Sequence, residues 1–221
     1  MRLMDPTPHT RLPPHTVEVQ LMLAQIYLDQ HLYAAAFGML EVAARSADPR
    51  ALNMLGRAYE RGWGVVRNIP AAITYFNMAA DQGYGWAFFN LADLHMAGRD
   101  IPQDTALAQA LYIRAAQAGV YKALTMLGLL LEDTQPPCPT TTAAARQYYQ
   151  AAADASDCWG FLNLARLSLQ DGDHAAAAEC FQQVLQTGFR DCFLAMKALL
   201  PHIPDPQRSH LLHQTEARLR S

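Results

Sequence analysis

The apolar positions of this chain recur with a period of about 36 residues. A leucine followed by a small residue marks one register, and a pair of alanines preceded by aromatic residues marks a second. The first register comprises Leu55-Gly56, Leu91-Ala92, Leu127-Gly128 and Leu164-Ala165, and the second comprises Ala79-Ala80, Ala115-Ala116 and Ala152-Ala153. Because both registers share one spacing, and a period of about 20 to 50 residues is typical of repeat architectures, the pattern predicts a solenoid.

The clearest copy of the repeat predicts two antiparallel helices joined by a glycine-rich loop. The first helix, called the A helix below, is predicted to follow the cap residue Asp48 and to end at Gly62 and Gly64, which permit positive φ. Asn68 is predicted to cap the second helix, called the B helix below, and Gly83 is predicted to end it. One helix pair cannot cover its own apolar face, so neighbouring repeats must pack against each other.

The spacing predicts a single repeat solenoid at 17–221, preceded by a disordered lead at 1–16 that is rich in proline. We predict an all-α, right-handed α/α superhelical solenoid of about five helix-turn-helix repeats plus C-terminal capping helices. The repeats are expected at 17–48, 49–84, 85–120, 121–157 and 158–188, and the capping helices at 190–201 and 206–220.

Composition and charge narrow the classes of function. Hydrophobic residues make up 51% of the 221, which is enough for a core, and the formal net charge of -3 provides no basic face for nucleic acid. The longest apolar run, at 127–131, is too short to cross a membrane, and the N-terminus lacks the apolar segment of a secretory signal. We therefore expect a cytoplasmic protein with no nucleic acid partner and no membrane insertion.

The cysteines and histidines offer no convincing chemical site. The four cysteines, at 138, 158, 180 and 192, show no CxxC spacing, and we expect reduced structural thiols. Cys158 would lie near Cys192 if adjacent A helices met there, but the sequence does not place the sulfur atoms. A metal site could be formed by His202, His210 and His213, but no cysteine or carboxylate ligands accompany them. The alternative is that His210 and His213 are a surface histidine pair. We predict no catalytic residue, no metal and no cofactor.

One stretch of the chain carries an extended motif. It reads Ala51-xxx-Leu55-Gly56-xx-Tyr59-xx-Gly62-x-Gly64-Val65-xx-Asn68-xx-Ala71-xxx-Tyr75-Phe76-xx-Ala79-Ala80-xx-Gly83. This motif resembles the Sel1-like repeat, whose family forms tetratricopeptide-like α/α solenoids and whose members serve as adaptors for protein complexes. The resemblance is strong at 51–86, clear at 87–122 and degraded at 123–159, and the units near 18 and 160 look more like plain tetratricopeptide repeats. Cysteine-rich members carry a disulfide in each repeat, and this chain lacks that pattern.

By analogy with tetratricopeptide repeats, residues that contact a partner are expected on the A helices, along a concave groove. The ten candidates are Arg50, Asn53, Arg57, Arg61, Trp86, Phe89, Asp93, Lys122, Trp159 and Arg166. The aromatic side chains would anchor a peptide, and the arginines of the repeat at 49–84 would bind its carboxylates. Alternatively, the aromatic side chains pack between adjacent A helices and the arginines are solvated surface charges. Trp63 is interpreted as either a loop anchor or a lid on the following repeat, with the lid favoured.

These features predict a non-enzymatic protein-protein interaction scaffold or adaptor that binds a peptide or partner protein in the groove of the A helices. The alternative is a cytoplasmic chaperone for a secreted protein or effector, since small acidic helical-repeat chains resemble such chaperones. An enzyme related to cysteine-rich β-lactam-binding repeat proteins is the third hypothesis, but no nucleophile with an adjacent base supports it. The identity of the partner and the oligomeric state stay open.

Overall fold

The computed structural model describes residues 14–133 and 139–220. All regular secondary structure in these ranges is helical, which confirms the predicted all-α fold class. The helices are α1 (Pro14–Asp29), α2 (Tyr33–Ala44), α3 (Pro49–Arg61), α4 (Ile69–Ala80), α5 (Gly85–Ala97), α6 (Thr105–Gln117), α7 (Lys122–Glu132), α8 (Pro139–Asp154), α9 (Cys158–Gln170), α10 (His174–Thr187), α11 (Arg190–Leu199) and α12 (Gln207–Arg220), with a 3₁₀ turn at Leu200–His202. Helix α1 packs against α2, α3 against α4, α7 against α8, and α9 against α10.

The chain divides between residues 111 and 112 into two compact units. The N-terminal unit contains α1 to α5 and the start of α6, and the C-terminal unit contains the rest of α6 and α7 to α12. Most of the predicted lead at 1–16 lies outside the described residues. Its last three residues belong to α1, so this helix begins before the predicted boundary at residue 17.

Local signals in the sequence set the helix ends of the N-terminal unit. The Asp48 side chain accepts a hydrogen bond from the Arg50 backbone N–H at 2.9 Å, and the Asn68 side chain accepts one from the Ala71 N–H at 3.0 Å. Gly62 adopts a left-handed conformation with φ of 74°, which glycine reaches at little cost. The predicted caps of α3 and α4 are therefore confirmed.

Small residues of the repeat motif let the two helices of a pair approach closely. A Cβ atom on Gly56 would lie 2.7 Å from the ring of Phe76, which is fully buried. In the C-terminal unit, Gly128 leaves the corresponding space for the ring of Tyr149. The small residue after the motif leucine therefore marks a close helix crossing within the repeat.

Successive helix pairs of the N-terminal unit share one apolar core. Leu55 of α3 is buried in a cluster with Ala24 of α1 and Leu40 of α2. The first helix pair thus covers the apolar face of the second, which is the stacking that the period implied.

Two cysteines of the C-terminal unit depart from the sequence prediction. Cys158, at the start of α9, and Cys192, in α11, form a disulfide with their Cα atoms 6.7 Å apart. The expectation of reduced thiols is therefore wrong for this pair. Both lie in a buried cluster with Phe181, where packing of α11 on α9 brings together residues 34 positions apart in the chain. Cys180 is a free thiol, and Cys138 lies outside the described residues.

Candidate functional site

Three arginines of α3 are proposed to bind carboxylates of a partner. Two of them have acidic partners within the chain. The Arg50 guanidinium donates to both carboxylate oxygens of Asp48, at 3.1 and 2.9 Å, and this contact lowers the pKa of Asp48. Arg61 forms an ion pair with Glu60 at 3.4 Å. Both arginines are exposed, so these pairs add little stability, yet each guanidinium has a neighbouring carboxylate.

Arg57, on the same helix, has a different environment. It is half-buried, and none of the described residues gives its guanidinium a hydrogen bond or an ion pair. Its Cζ atom lies 5.3 Å from the ring centre of Trp63, which is a cation–π contact. Burial lowers the pKa of Arg57, while the charges of Glu60 and Asp93 raise it by a smaller amount. An arginine with these neighbours is still charged at neutral pH.

Arg57 and Trp63 line a pocket in the N-terminal unit with a volume of about 320 Å³. The remaining lining residues come from α1, from the turn that follows it, and from α2 and α3: Gln25, Leu28, Asp29, His31, Tyr33 and Met54. The Gln25 side chain donates to the Asp29 carboxylate at 2.8 Å, and His31 Nδ1 lies 3.0 Å from the Tyr33 hydroxyl. The polar groups at the rim are thus engaged with each other, whereas the guanidinium is not.

Two glycines hold Trp63 at this pocket. Gly62 and Gly64 both adopt positive φ, at 74° and 71°. A Cβ atom on Gly64 would overlap the backbone of Tyr33, so the loop packs tightly on the start of α2. Trp63 therefore packs against the preceding helix pair, where it joins the cluster around Leu55, whereas the sequence favoured contact with the following repeat.

Two predicted binding residues of the N-terminal unit are interior. Asn53 is 4% exposed, and its side-chain oxygen accepts a hydrogen bond from Asn90 Nδ2 at 2.8 Å, which joins α3 to α5. Phe89 is also 4% exposed. A partner has no access to either side chain in this structure. Asn53 contributes to the contact between two A helices, and Phe89 contributes to the interior.

Trp86 and Asp93, also on α5, are exposed to solvent. The indole of Trp86 is 44% exposed and meets the ring of Phe89 edge to face, with centroids 5.6 Å apart and planes at 66°. The buried phenyl ring thus supports one side of the indole and leaves the other accessible.

The candidates of the C-terminal unit do not share one site. Lys122 is exposed at the start of α7, and Trp159 is half-buried near the start of α9, with its ring 6.3 Å from that of Phe189. Arg166 of α9 forms an ion pair with Glu132 of α7. This ion pair connects two neighbouring A helices, which gives Arg166 a structural contact within the chain.

Tyr149 completes this ion pair from the B helix of the same repeat. Its hydroxyl donates to Oε2 of Glu132 at 2.5 Å. Burial and then this hydrogen bond raise the pKa of Tyr149 well above its usual value. The network therefore keeps Tyr149 in its protonated form. Glu132 accepts hydrogen bonds from both Tyr149 and Arg166.

Stability above pH 10 is expected to depend on Tyr149. Because the folded-state pKa is raised, its stabilising effect is complete below the unfolded pKa of about 10 and is lost as pH rises above it. The free energy of unfolding of the wild type should then fall by up to about 1.4 kcal/mol more per pH unit than that of Tyr149→Phe. Urea unfolding of both proteins at several alkaline pH values measures this difference, and equal slopes would contradict the assignment.

Among residues 14–133 and 139–220, no three or more His, Cys, Asp and Glu side chains cluster so as to hold a metal ion. No helix in these ranges combines the length and apolarity needed to span a bilayer.

The helix pairs in the middle of the chain match a known family. Residues 49–84, 88–120 and 122–157 each match the Sel1 repeat. The chain carries three Sel1 repeats. The resemblance drawn from the motif is thereby confirmed. The pairs α1–α2 and α9–α10 lie outside the matched intervals.

Known proteins share either part of the sequence or the fold of this chain. Over 95 residues, 42% of its length, the chain is 34% identical to Protein sel-1 homolog 2 of Rattus norvegicus, but it spans only 14% of that protein. A Sel1 repeat protein from Oxalobacter formigenes has a TM-score of 0.73 at 21% identity, covering 92% of this chain and 87% of that one. An immunity protein from Pseudomonas aeruginosa has a TM-score of 0.69 at 16% identity, covering 95% and 82%. At these identities, the two structures establish the fold alone.

An apolar surface on α1 is not among the ten candidates. Val19, Met22, Leu23 and Ile26 lie on one face of α1 and are between 37% and 60% exposed. Leu23 aligns with the motif residue Leu55, which is buried under the first helix pair. None of the described residues covers Leu23 to that extent. The alignment of the two leucines was the available signal for this surface.

Proposed function

We propose that this protein is a non-enzymatic scaffold that binds a partner protein through exposed side chains on the A helices of its N-terminal unit. Sel1-repeat folds are typically protein-interaction scaffolds. The partner would contact Trp86 on α5 and the Arg57 pocket beside α3. The apolar face of α1 adds further surface of the kind that protein interfaces bury.

The observation that carries this proposal is the exposed indole of Trp86. A large aromatic side chain that is accessible yet held on one side by Phe89 loses little conformational freedom when a partner covers it. Tryptophan is among the residues that most often dominate the binding energy of an interface, at about 2 kcal/mol or more when it is central. Trp86 therefore supplies an apolar anchor on a rigid helix.

Replacement of Trp86 by alanine is expected to weaken partner binding by about 30-fold, which corresponds to about 2 kcal/mol. The partner would be captured from an extract of the source cells with the immobilised wild-type protein and identified by mass spectrometry. Its dissociation constant would then be measured by calorimetry for the wild type and for Trp86→Ala.

Met78→Ala serves as the matched control for this experiment. Met78 is another exposed apolar residue of the N-terminal unit, but it lies on the B helix α4, so its removal should leave affinity unchanged. Circular dichroism confirms that both variants fold. Equal affinity of Trp86→Ala and the wild type would refute the proposed surface, and recovery of unfolded clients alone would favour the chaperone alternative.

A further inference from the structure

We propose that the pocket beside Arg57 binds a carboxylate group of the partner protein, an inference that rests on the proposed scaffold function. The pocket has a volume of about 320 Å³ and is confined to the N-terminal unit. This volume suits one acidic side chain or the terminal residue of a chain, and it is too small for a folded element.

The unpaired guanidinium of Arg57 is the main evidence for this ligand. Its neighbours on α3, Arg50 and Arg61, have Asp48 and Glu60 as partners, whereas none of the described residues provides Arg57 with a hydrogen bond or an ion pair. Glu60 and Asp93 act on Arg57 only through their charges, so an incoming carboxylate would provide the hydrogen bonds that this half-buried guanidinium lacks. Such a contact is stronger in a partly desolvated pocket than at the open surface.

Trp63 prepares Arg57 for this contact without occupying its hydrogen-bond donors. The ring attracts the positive charge through its π-system, whereas the five N–H donors of a guanidinium lie in its own plane. A carboxylate can accept two parallel hydrogen bonds from two of these donors. The indole thus restrains the side chain, and the donors stay available.

The other lining residues suit the rest of an acidic residue. Leu28 and Met54 provide apolar contacts for a short aliphatic stem. Asp29 is the acidic residue of the lining, and its carboxylate accepts a hydrogen bond from Gln25 at 2.8 Å. An incoming carboxylate must therefore approach the Arg57 and Trp63 side of the pocket, where the charges of Glu60 and Asp93 also act on Arg57.

Three small probes separate the possible sources of the carboxylate. N-acetylglutamic acid α-amide carries only a side-chain carboxylate, N-acetylglutamine carries only an α-carboxylate, and N-acetylglutamine amide carries neither. Binding is followed by NMR through the indole N–H signal of Trp63, which is one of three tryptophan signals and is assigned with Trp63→Phe. We expect a saturable shift of this signal with one or both carboxylates and no saturable shift with the neutral amide.

Variants of two arginines test the role assigned to Arg57. Arg57→Gln is expected to weaken carboxylate binding at least about tenfold, and Arg57→Lys, which keeps the charge but loses the fork geometry, should weaken it less. Arg45→Gln is the matched control, because Arg45 is an exposed arginine at the end of α2 that does not line the pocket, and this variant should bind as the wild type does. An equal shift with the neutral amide, or unchanged binding by a folded Arg57→Gln, would overturn the proposal.

These outcomes are distinguishable from failure of the scaffold function. A carboxylate-dependent shift of Trp63 that is lost in Arg57→Gln supports the pocket even if no partner is captured from extracts. Conversely, capture of a partner that depends on Trp86, together with no carboxylate-dependent shift, would support the scaffold and overturn the pocket.

Discussion

Replacement of Gly160 by alanine is expected to destabilise the protein by about 3 kcal/mol. Gly160 lies in the first turn of α9, and a Cβ atom there would be 2.6 Å from the Ala153 backbone nitrogen and 2.9 Å from the Tyr149 carbonyl oxygen of α8. These are backbone atoms, so no side-chain rotation can relieve the overlap. The two helices would have to separate, and packed contacts between α8 and α9 would be lost.

Gly38→Ala is the matched control, and its effect is expected to have the opposite sign. Gly38 lies inside α2, and a Cβ atom on it would meet nothing within 4 Å. Alanine should therefore stabilise the helix by about 0.5 to 1 kcal/mol. Thermal unfolding measures both variants, with an expected fall of roughly 6 to 12 °C for Gly160→Ala. Equal melting temperatures for Gly160→Ala and the wild type would show that α8 and α9 are not in such close contact.

Loss of the Cys158–Cys192 disulfide is expected to cost about 3 to 4 kcal/mol of stability. The bond closes a segment with a sequence separation of 34, and a cross-link of this length restricts the unfolded chain substantially. It also joins α9 to α11 inside the buried cluster around Phe181. Without it, the attachment of the last two helices depends on apolar packing alone at this point.

Unfolding in urea with and without a reductant tests this prediction. The double variant Cys158→Ala and Cys192→Ala should have the stability of the reduced wild type and should not respond to reductant. A wild type that is equally stable in both conditions would contradict a stabilising disulfide. Because structural disulfides are typical of oxidising compartments, detection of the bond in protein isolated from its cells would also count against the predicted cytoplasmic location, which stays a prediction.

Helix ends and repeat spacing were predictable because they depend on residues a few positions apart. Asp48 and Asn68 cap their helices through backbone groups two or three residues away. Gly62 ends α3 because the chain needs a left-handed residue there. The motif leucine and the small residue after it repeat because every helix pair has to cover the next one.

The candidate site was only partly predictable. The tetratricopeptide analogy placed Trp86 and Arg57 on the A helices, and both are at least partly accessible. It also selected Asn53 and Phe89, which are buried. These two residues occupy the same position of their repeats, two before the motif leucine, and both are 4% exposed. The analogy therefore assigned to the binding face a position that is interior in this chain.

By itself, then, the sequence determined the all-α class, the period and the presence of Sel1 repeats, since each follows from local signals that recur along the chain. Only the tertiary structure decided which charged and aromatic groups have partners. Asn53 bonds to Asn90, and Cys158 joins Cys192, over 37 and 34 positions of sequence. Arg57 meets Trp63 beside the α1–α2 turn, and no carboxylate of the described residues forms a hydrogen bond or an ion pair with it. Such outcomes depend on the distances between stacked helices, which are set by the packing of whole repeats and not by the order of residues within one.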